Sequence, residues 1–426
     1  MSGKRNRKRP AFARLLFSLA CTEFVFTGLL DLGFSAPKES PNPLPALKMV
    51  NAFPGLKFIN PIRIRNLGDG SDRLSVGTQT GKIFVFKNSS DVSEKKLFLS
   101  VKSKHQLMDF VFHPDFSENG YVFTYYRSGG ERAQRSVLSR FKVDENDGDR
   151  VDPKSEKVIL EIPRSFHPGS IQFGPDGLLY FVLGYEFYYP DMTPGKTTDP
   201  EDNFSNLLGT MMRIDVDSEE QGRPYRIPDD NPFIGNASIP DQVWAYGFRE
   251  PWRFCFDPKT GNCWLGDNGQ WAYEEVNLII PGGNYAWPFK EGFLPFNKKY
   301  SRKKRGGMEK NASFRFGEPP DTGAEFIDPV IEYPHRIGVC VVGGEFYYGE
   351  KIPELLGAYI YGDYQYGRIW GMRWDGTKVL NNQQVARIYS NLSSFGKDEA
   401  GEIYVTAFDG NIYKFEKAPP SVSPKP

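Results

Sequence analysis

Four times along this chain an aromatic strand runs into a Pro, Asp or Gly turn and out again into a second aromatic strand. Phe112-His113-Pro114-Asp115 leads to Tyr121-Val122-Phe123, and Phe173-Gly174-Pro175-Asp176-Gly177 leads to Leu179-Tyr180-Phe181. Phe254 and Phe256 turn through Asp257-Pro258-Lys259-Thr260-Gly261 to Trp264 and Leu265, and Phe395-Gly396 passes through Asp398 and Gly401 to Ile403-Tyr404-Val405. Proline fixes one torsion of such turns and glycine takes the positive φ that closes them. A second theme is a short apolar strand that closes each unit: Gly81–Phe86, Val137–Phe141, Met211–Asp215, Val276–Ile279, Gly367–Trp370 and Gly410–Phe415. Units of this size cannot bury their own faces, so their repetition points to radial stacking into a propeller. The pattern alone leaves the blade number between five and seven. Composition agrees with an all-β chain: 43 Gly, 33 Pro and 15% aromatic residues suit many short strands and tight turns.

Charge and cysteine content exclude several classes of function. Lys plus Arg and Asp plus Glu balance at 53 each, so net charge does not draw the chain to nucleic acid or an anionic membrane. Four cysteines are too few for a disulfide scaffold. Cys255 and Cys263 flank the central hairpin turn, where either a bridge or two reduced core thiols would fit. At the N-terminus, Lys4-Arg5-Asn6-Arg7-Lys8-Arg9 precedes Ala11–Ala20, an apolar run interrupted by Arg14. That is the order of a secretory signal, with Ser18-Leu19-Ala20 offering small residues for cleavage and a disordered basic tail as the alternative. Glu23 and Asp31 break any apolar stretch of about twenty residues, so no membrane span is expected. The expected organisation is a signal-like segment and Pro-rich linker over 1–45, one propeller over 46–417 and a Pro-rich tail over 418–426, secreted or periplasmic. Asn88, Asn203, Asn236, Asn311 and Asn391 begin N-x-Ser triplets that matter only in a eukaryotic secretory pathway. The basic run Lys298–Arg305, inside the insertion Phe293–Phe326, reads as a solvated loop, with anion binding as the alternative.

The stretch from Val243 to Pro288 narrows the reading. It holds a strand ending in Tyr246-Gly247-Phe248-Arg249-Glu250-Pro251, a loop Gly266-Asp267-Asn268-Gly269-Gln270, the pair Glu274-Glu275 before Val276-Asn277, and an exit Gly282-Gly283-Asn284-Tyr285-Ala286-Trp287-Pro288. This resembles the signature of the glucose/sorbosone dehydrogenase family, the soluble quinoprotein sugar dehydrogenases, in which the parts read AYGLRNP, GDVGQ and EEIN…GGNYGWP. The resemblance runs from about Phe58 to Phe415 and implies a six-bladed β-propeller. The C-terminal strand Ile412–Phe415 is expected to join the first blade so that no sheet edge stays open.

Oxidising a sugar hydroxyl takes a base for the proton and an acceptor for the hydride. No Gly-rich phosphate loop opens a helix here, so nicotinamide and flavin folds have no support. The resemblance implies pyrroloquinoline quinone (PQQ) on the top face beside calcium, an aldose or related sugar as substrate, and an external electron acceptor. Phe166–Tyr185 resembles the family's HNGGSIAFGPDGLLYVTVGD and assigns His167 as the base. His167 stands one residue closer to Gly174-Pro175-Asp176 than the family's histidine. Either a glycine is lost and His167 still points inward, or Phe166 occupies its place. Tyr185 replaces the family's acid. Gln106 stands for a glutamine that reaches sugar or cofactor, again with one residue missing, and His113 in its turn reads as structural. Arg249 matches an arginine that would hold a quinone carboxylate, and Glu250 replaces the asparagine beside it, placing a negative charge at the cofactor. Gln365, Asn391 and Ser393 stand where sugar-oxidising members offer basic residues. Carbonyls of Gly269 and Gln270 would hold a catalytic calcium, and Glu274 and Glu275 match an acidic pair at a structural calcium. A solvated strand edge is the alternative for that pair. Two functions are compatible with these residues: a PQQ-dependent sugar oxidoreductase, or a non-catalytic propeller of the same descent that binds a protein or glycan on its top face.

Overall fold

The computed structural model describes residues 43–101, 106–129, 135–163, 168–185, 207–295 and 325–418. The signal-like segment to residue 42, His105, Phe166, His167, the triplets at Asn203 and Asn311, the Lys298–Arg305 run and the tail from residue 419 lie outside the described residues.

Six antiparallel four-stranded sheets follow one another along the chain. From the inner strand outward, blade 1 is Pro61–Asn66, Arg73–Thr78, Lys82–Lys87 and Lys96–Ser100, and blade 2 is Gln106–Phe112, Tyr121–Ser128, Arg135–Asp144 and Asp147–Pro163. Blade 3 is Gly169–Phe173, Leu179–Leu183, Thr210–Ile214 and Val243–Tyr246, and blade 4 is Pro251–Phe256, Cys263–Asp267, Tyr273–Ile279 and Ile331–Pro334. Blade 5 is Val341–Phe346, Tyr359–Asp363, Arg368–Trp374 and Val379–Arg387, and blade 6 is Leu392–Lys397, Ile403–Ala407, Ile412–Lys417 and, outermost, Leu47–Asn51. The six first strands pack on one another in a closed circuit, which makes them the wall of a central axis. The fold is a six-bladed β-propeller.

Closure differs in direction from the expectation. The N-terminal strand Leu47–Asn51 crosses to blade 6 and pairs along Ile412–Lys417, from Leu47 opposite Lys417 to Asn51 opposite Tyr413. Three C-terminal strands would otherwise leave their sheet with an open edge, and the first strand covers it. The six apolar strands read as closing each unit are all present, one per blade, but each is third from the axis. Burial explains the misplacement. A third strand such as Thr210–Ile214 is buried throughout, whereas the true outer strand Val379–Arg387 is exposed at alternate positions over most of its length and carries Asn381, Asn382, Gln383 and Gln384. Apolar runs mark strands covered on both faces, not sheet edges.

Large side chains fill the wedges between blades. Trp264 of blade 4 packs at 5.6 Å on Tyr359 and 6.2 Å on Phe346 of blade 5. Tyr125 of blade 2 packs at 4.9 Å on Phe181 of blade 3. Each fully buried side chain of this size is worth about 1.5–3 kcal/mol. Cys255 and Cys263 are free and buried. Cys255 lies opposite Trp264 and Cys263 opposite Phe256, and that one-residue offset sends the thiols to opposite faces of the sheet. Cys255 joins the core shared with blade 5 and Cys263 the core shared with blade 3, so they do not bridge. No helix among the described residues is long and apolar enough to cross a membrane.

Candidate functional site

Antiparallel pairing gathers the sequence candidates at one end of the axis, the end where the inner strands begin. Arg249 and Glu250 immediately precede the inner strand of blade 4, and Asn268, Gly269 and Gln270 form the turn between that blade's second and third strands. Gln106 opens the inner strand of blade 2 at the same end and is exposed. The backbone before blade 4 is fixed by Asp267, whose Oδ2 accepts from the Arg249 N–H at 2.9 Å and whose Oδ1 accepts from the Glu250 N–H at 2.7 Å.

The Arg249 guanidinium then closes on the turn. Its Nε donates to Gln270 Oε1 at 2.9 Å. Its Nη1 donates to the carbonyl oxygens of Asn268 at 2.9 Å and Gly269 at 2.7 Å, and to Glu250 Oε2 at 3.0 Å. The turn is held from below by Glu291, whose Oε1 accepts the N–H groups of Trp271, Ala272 and Tyr273 at 2.6–3.0 Å. Only glycine fits at 269, because a Cβ there would run into the Tyr273 carbonyl and the Glu291 carboxylate. The Gly269 carbonyl, expected to face calcium, thus accepts a hydrogen bond from the protein's own cation.

Glu274 and Glu275, expected as a pair at one ion, are consecutive residues of a strand and point to opposite faces. Glu274 is buried towards blade 5, where Oε2 accepts the Val341 N–H at 2.8 Å and Oε1 lies 2.8 Å from His335 Nε2. Glu275 faces the other way, accepts from Gly292 N–H and from Asn277 Nδ2, and lies directly across the sheet from Asp267. Burial pushes both carboxyls up, Asp267 to about 7 and Glu275, with the Asp267 carboxyl beside it, to about 8. Among the described residues no group of three or more His, Cys, Asp or Glu side chains converges as a metal site. In blade 6, Ser393 is buried and spent on the Pro61 carbonyl at 2.6 Å and on Thr406. Asn391 donates to the Tyr364 carbonyl at 3.4 Å, and Gln365 is exposed. His113 is at the far end of the axis, held by Asp217 and by the N–H of Asp115, as a structural turn residue would be. His335, which sequence reading passed over, is the described histidine at the Arg249 end. Nothing local marks it, since its partner Glu274 comes from the third strand of the same blade, far back in the chain.

Residues 58–414 match the Glucose / Sorbosone dehydrogenase family. The chain belongs to that family. Among its relatives, HIPL1 protein of Arabidopsis thaliana is 29% identical over 373 residues, covering 71% of this chain and 50% of that protein. Hedgehog-interacting protein of Homo sapiens is 24% identical over 398 residues, covering 83% of this chain and 50% of that protein. The chain therefore spans about half the length of these curated relatives. In fold it is similar to the PQQ-bound aldose sugar dehydrogenase of Streptomyces coelicolor, with a TM-score of 0.61 and 20% identity over 88% of this chain and 99% of that one.

The propeller of this family member also carries a feature that sequence reading missed. Five of the six inner strands break register, at Pro61/Arg63, Leu107/Asp109, Pro251/Phe254, Val342/Glu345 and Leu392/Ser394. A bulge re-aims a side chain, and Arg63, Asp109, Arg253, Glu345 and Ser394 from these breaks meet on the axis. Arg253, with φ of 74° and no exposure, donates to the carbonyls of Ile62 at 2.7 Å and Met108 at 3.1 Å and to Ser394 Oγ at 3.0 Å. Arg63 donates to the same hydroxyl at 3.2 Å. Desolvation alone would raise Asp109, but Arg253, Arg63 and Arg65 outweigh it and hold the carboxyl at about 2.

Proposed function

We propose that this chain is a binding member of the glucose/sorbosone dehydrogenase family that carries no quinone, and that the Arg249 end of its propeller engages a protein partner outside the cell. One observation carries the reading: Arg249, the cation matched to the quinone, is already spent on Asn268, Gly269, Gln270 and Glu250. PQQ brings three carboxylates, and a buried anion must be met by cations or donors. Here one carboxylate, Glu250, already pairs with that guanidinium and another, Asp267, holds the backbone beneath it, so the residues around Arg249 do not fit the quinone. They do not fit its calcium either, because the guanidinium already takes the Gly269 carbonyl.

The rim at the same end suits a protein. Tyr389 is 93% exposed and Tyr366 38%. The Arg387 guanidinium lies 5.2 Å from the Tyr389 ring, and Arg368 lies 5.8 Å from the Tyr366 ring. Arg387 Nε also donates to the Tyr366 carbonyl at 3.0 Å, which ties the patch together. Exposed Tyr held by Arg is the composition of interface hot spots, and a relative carries the name Hedgehog-interacting protein. The signal-like N-terminus supports export to a place where such a partner is met.

Calorimetry with PQQ and calcium, followed by dye reduction across a panel of aldoses, tests the reading. No quinone binding is expected at tens of micromolar, where a Kd near 10 µM would be only about 7 kcal/mol. Tight quinone binding with turnover abolished by His167→Ala would return the chain to the sugar dehydrogenases. The partner is tested by capture from the secreted proteins of the producing cell, and Tyr389→Ala with Arg387→Ala must abolish that capture.

A further inference from the structure

At the far end of the axis, opposite Arg249, the inner strands finish around a cavity of about 270 Å³ whose polar wall includes Arg65, Asn66, His113, Gln172, Glu345 and Lys397. At the liquid's share of about 30 Å³ each, that is room for about nine waters, below the size of a drug-like ligand site. The charge around it does not balance. Four cations, Arg63, Arg65, Arg253 and Lys397, face two carboxylates, Asp109 and Glu345. Every one of those pairs is separated by 3.4–3.6 Å, longer than the 2.7–2.9 Å of a charge-assisted hydrogen bond. Arg63 Nε and Nη2, Arg65 Nε and Arg253 Nη1 are buried without a hydrogen-bond partner. His113 does not correct the balance, since it is turned to Asp217. Buried guanidinium donors left over in this number are costly unless an anion shares them. Lys397, with its side chain 32% exposed, brings that surplus to the cavity beside Arg65, 11% exposed, whose terminal nitrogens donate to Gln172 Oε1 and the Ile171 carbonyl.

We propose that this cavity binds a small dianion, a dicarboxylate or a phosphate, with Lys397 as its direct cationic contact and the Arg65 charge, held by Gln172, beside it. The site is independent of what happens at the Arg249 end. Two probes separate the sources of charge: succinate for dicarboxylates and inorganic phosphate for phosphates, each in calorimetry and thermal melts of the full chain. At least one should bind with a Kd below about 1 mM, where binding free energy passes about 4 kcal/mol, and should raise the melting temperature with dose. Chloride at matched ionic strength should not. Lys397→Met should weaken binding at least tenfold, and Lys397→Arg should restore it. Lys48→Ala, on the outer strand of blade 6, should leave it unchanged. Phosphate stabilises proteins generally by exclusion, so a shift that persists undiminished in Lys397→Met overturns the proposal, as does an equal shift with chloride. Lys397→Met also strips Glu345 of a partner, so the double variant Lys397→Met/Glu345→Gln is measured beside it. Binding retained in the folded double variant overturns the site as well.

Discussion

Arg249 and Arg253 are four residues apart, one just before the inner strand of blade 4 and one within it, and the protein treats them in opposite ways. Arg249 is satisfied by its own neighbourhood: a turn of the same blade folds over it with hydrogen bonds of 2.7–3.0 Å to two carbonyls, an amide and a carboxylate. Arg253 is satisfied by the ring. Its bonds go to blades 1, 2 and 6, its carboxylate is Asp109 of blade 2 at 3.5 Å, and one nitrogen has no partner. A cation tied up locally leaves nothing for a ligand, whereas a cation cluster that spans the ring is short of anions. The Arg249 end satisfies its own cation, and the unspent charge of this propeller lies along the axis and towards its far end.

The comparison makes unequal demands on stability. Removing the axial carboxylate leaves three guanidiniums facing each other in the core, and breaking a buried charge set costs about 3–5 kcal/mol. Asp109→Asn should therefore show the largest loss of any single change considered, read as a lower urea midpoint at unchanged slope. The pH dependence is specific to this group. Its carboxyl is held at about 2 in the fold against about 3.9 unfolded, so its contribution is complete above pH 4 and fades as pH falls towards 2. The variant should lack that acid limb.

Arg249→Met should cost less, about 1–3 kcal/mol, because it leaves polar groups unpaired at a surface where water can reach some of them. A loss as large as that of Asp109→Asn would break the distinction between a local and a ring-wide arginine.

Much of this was readable in the chain, for reasons that particular residues make plain. The ring was legible because its third strands, such as Thr210–Ile214, are buried on both faces and read as apolar runs. Their position was not, because polar outer strands such as Val379–Arg387 give no such run. Charges inside otherwise apolar or small-residue segments, Arg63 and Arg65 in Pro61–Asn66, Asp109 in Gln106–Phe112, Arg253 in Pro251–Phe256 and Glu345 in Val341–Phe346, are the signal of the axial network. Bulges hide it, since they break the alternation that tells which face a side chain takes. Glu274 and Glu275 read as one acidic pair only while the strand is started at Val276. It starts at Tyr273, and adjacency in sequence then means opposite faces.

The raised carboxyls of Asp267 and Glu275 give a smaller, differently signed effect. Both carboxyls are raised by burial, so between their unfolded values near 4 and their folded values of about 7 and 8 the folded state holds a proton that the unfolded state has released. Stability from this pair is present at the acid end and is lost as pH rises through that window. Glu275→Gln should flatten the decline between pH 5 and 8 in thermal melts. A decline unchanged by the substitution would assign it to other groups.

The smallest expected effect separates the two ends most directly. In the wild-type chain the carbonyls of Asn268 and Gly269 are taken by Arg249, so EDTA and calcium should leave the melting temperature where it is. Arg249→Met frees both oxygens beside Glu250, and main-chain carbonyls with a carboxylate are ligands that a hard cation accepts. A ligand that binds only the folded state adds RT ln(1 + [L]/Kd), about 1.4 kcal/mol at ten times Kd. Calcium should therefore recover part of the stability that Arg249→Met loses, while doing nothing for Asp109→Asn, whose deficit is of negative charge on the axis. A wild-type melt that falls with EDTA and recovers with calcium would mean that Arg249 yields its carbonyls to an ion, and the Arg249 end would no longer count as self-contained.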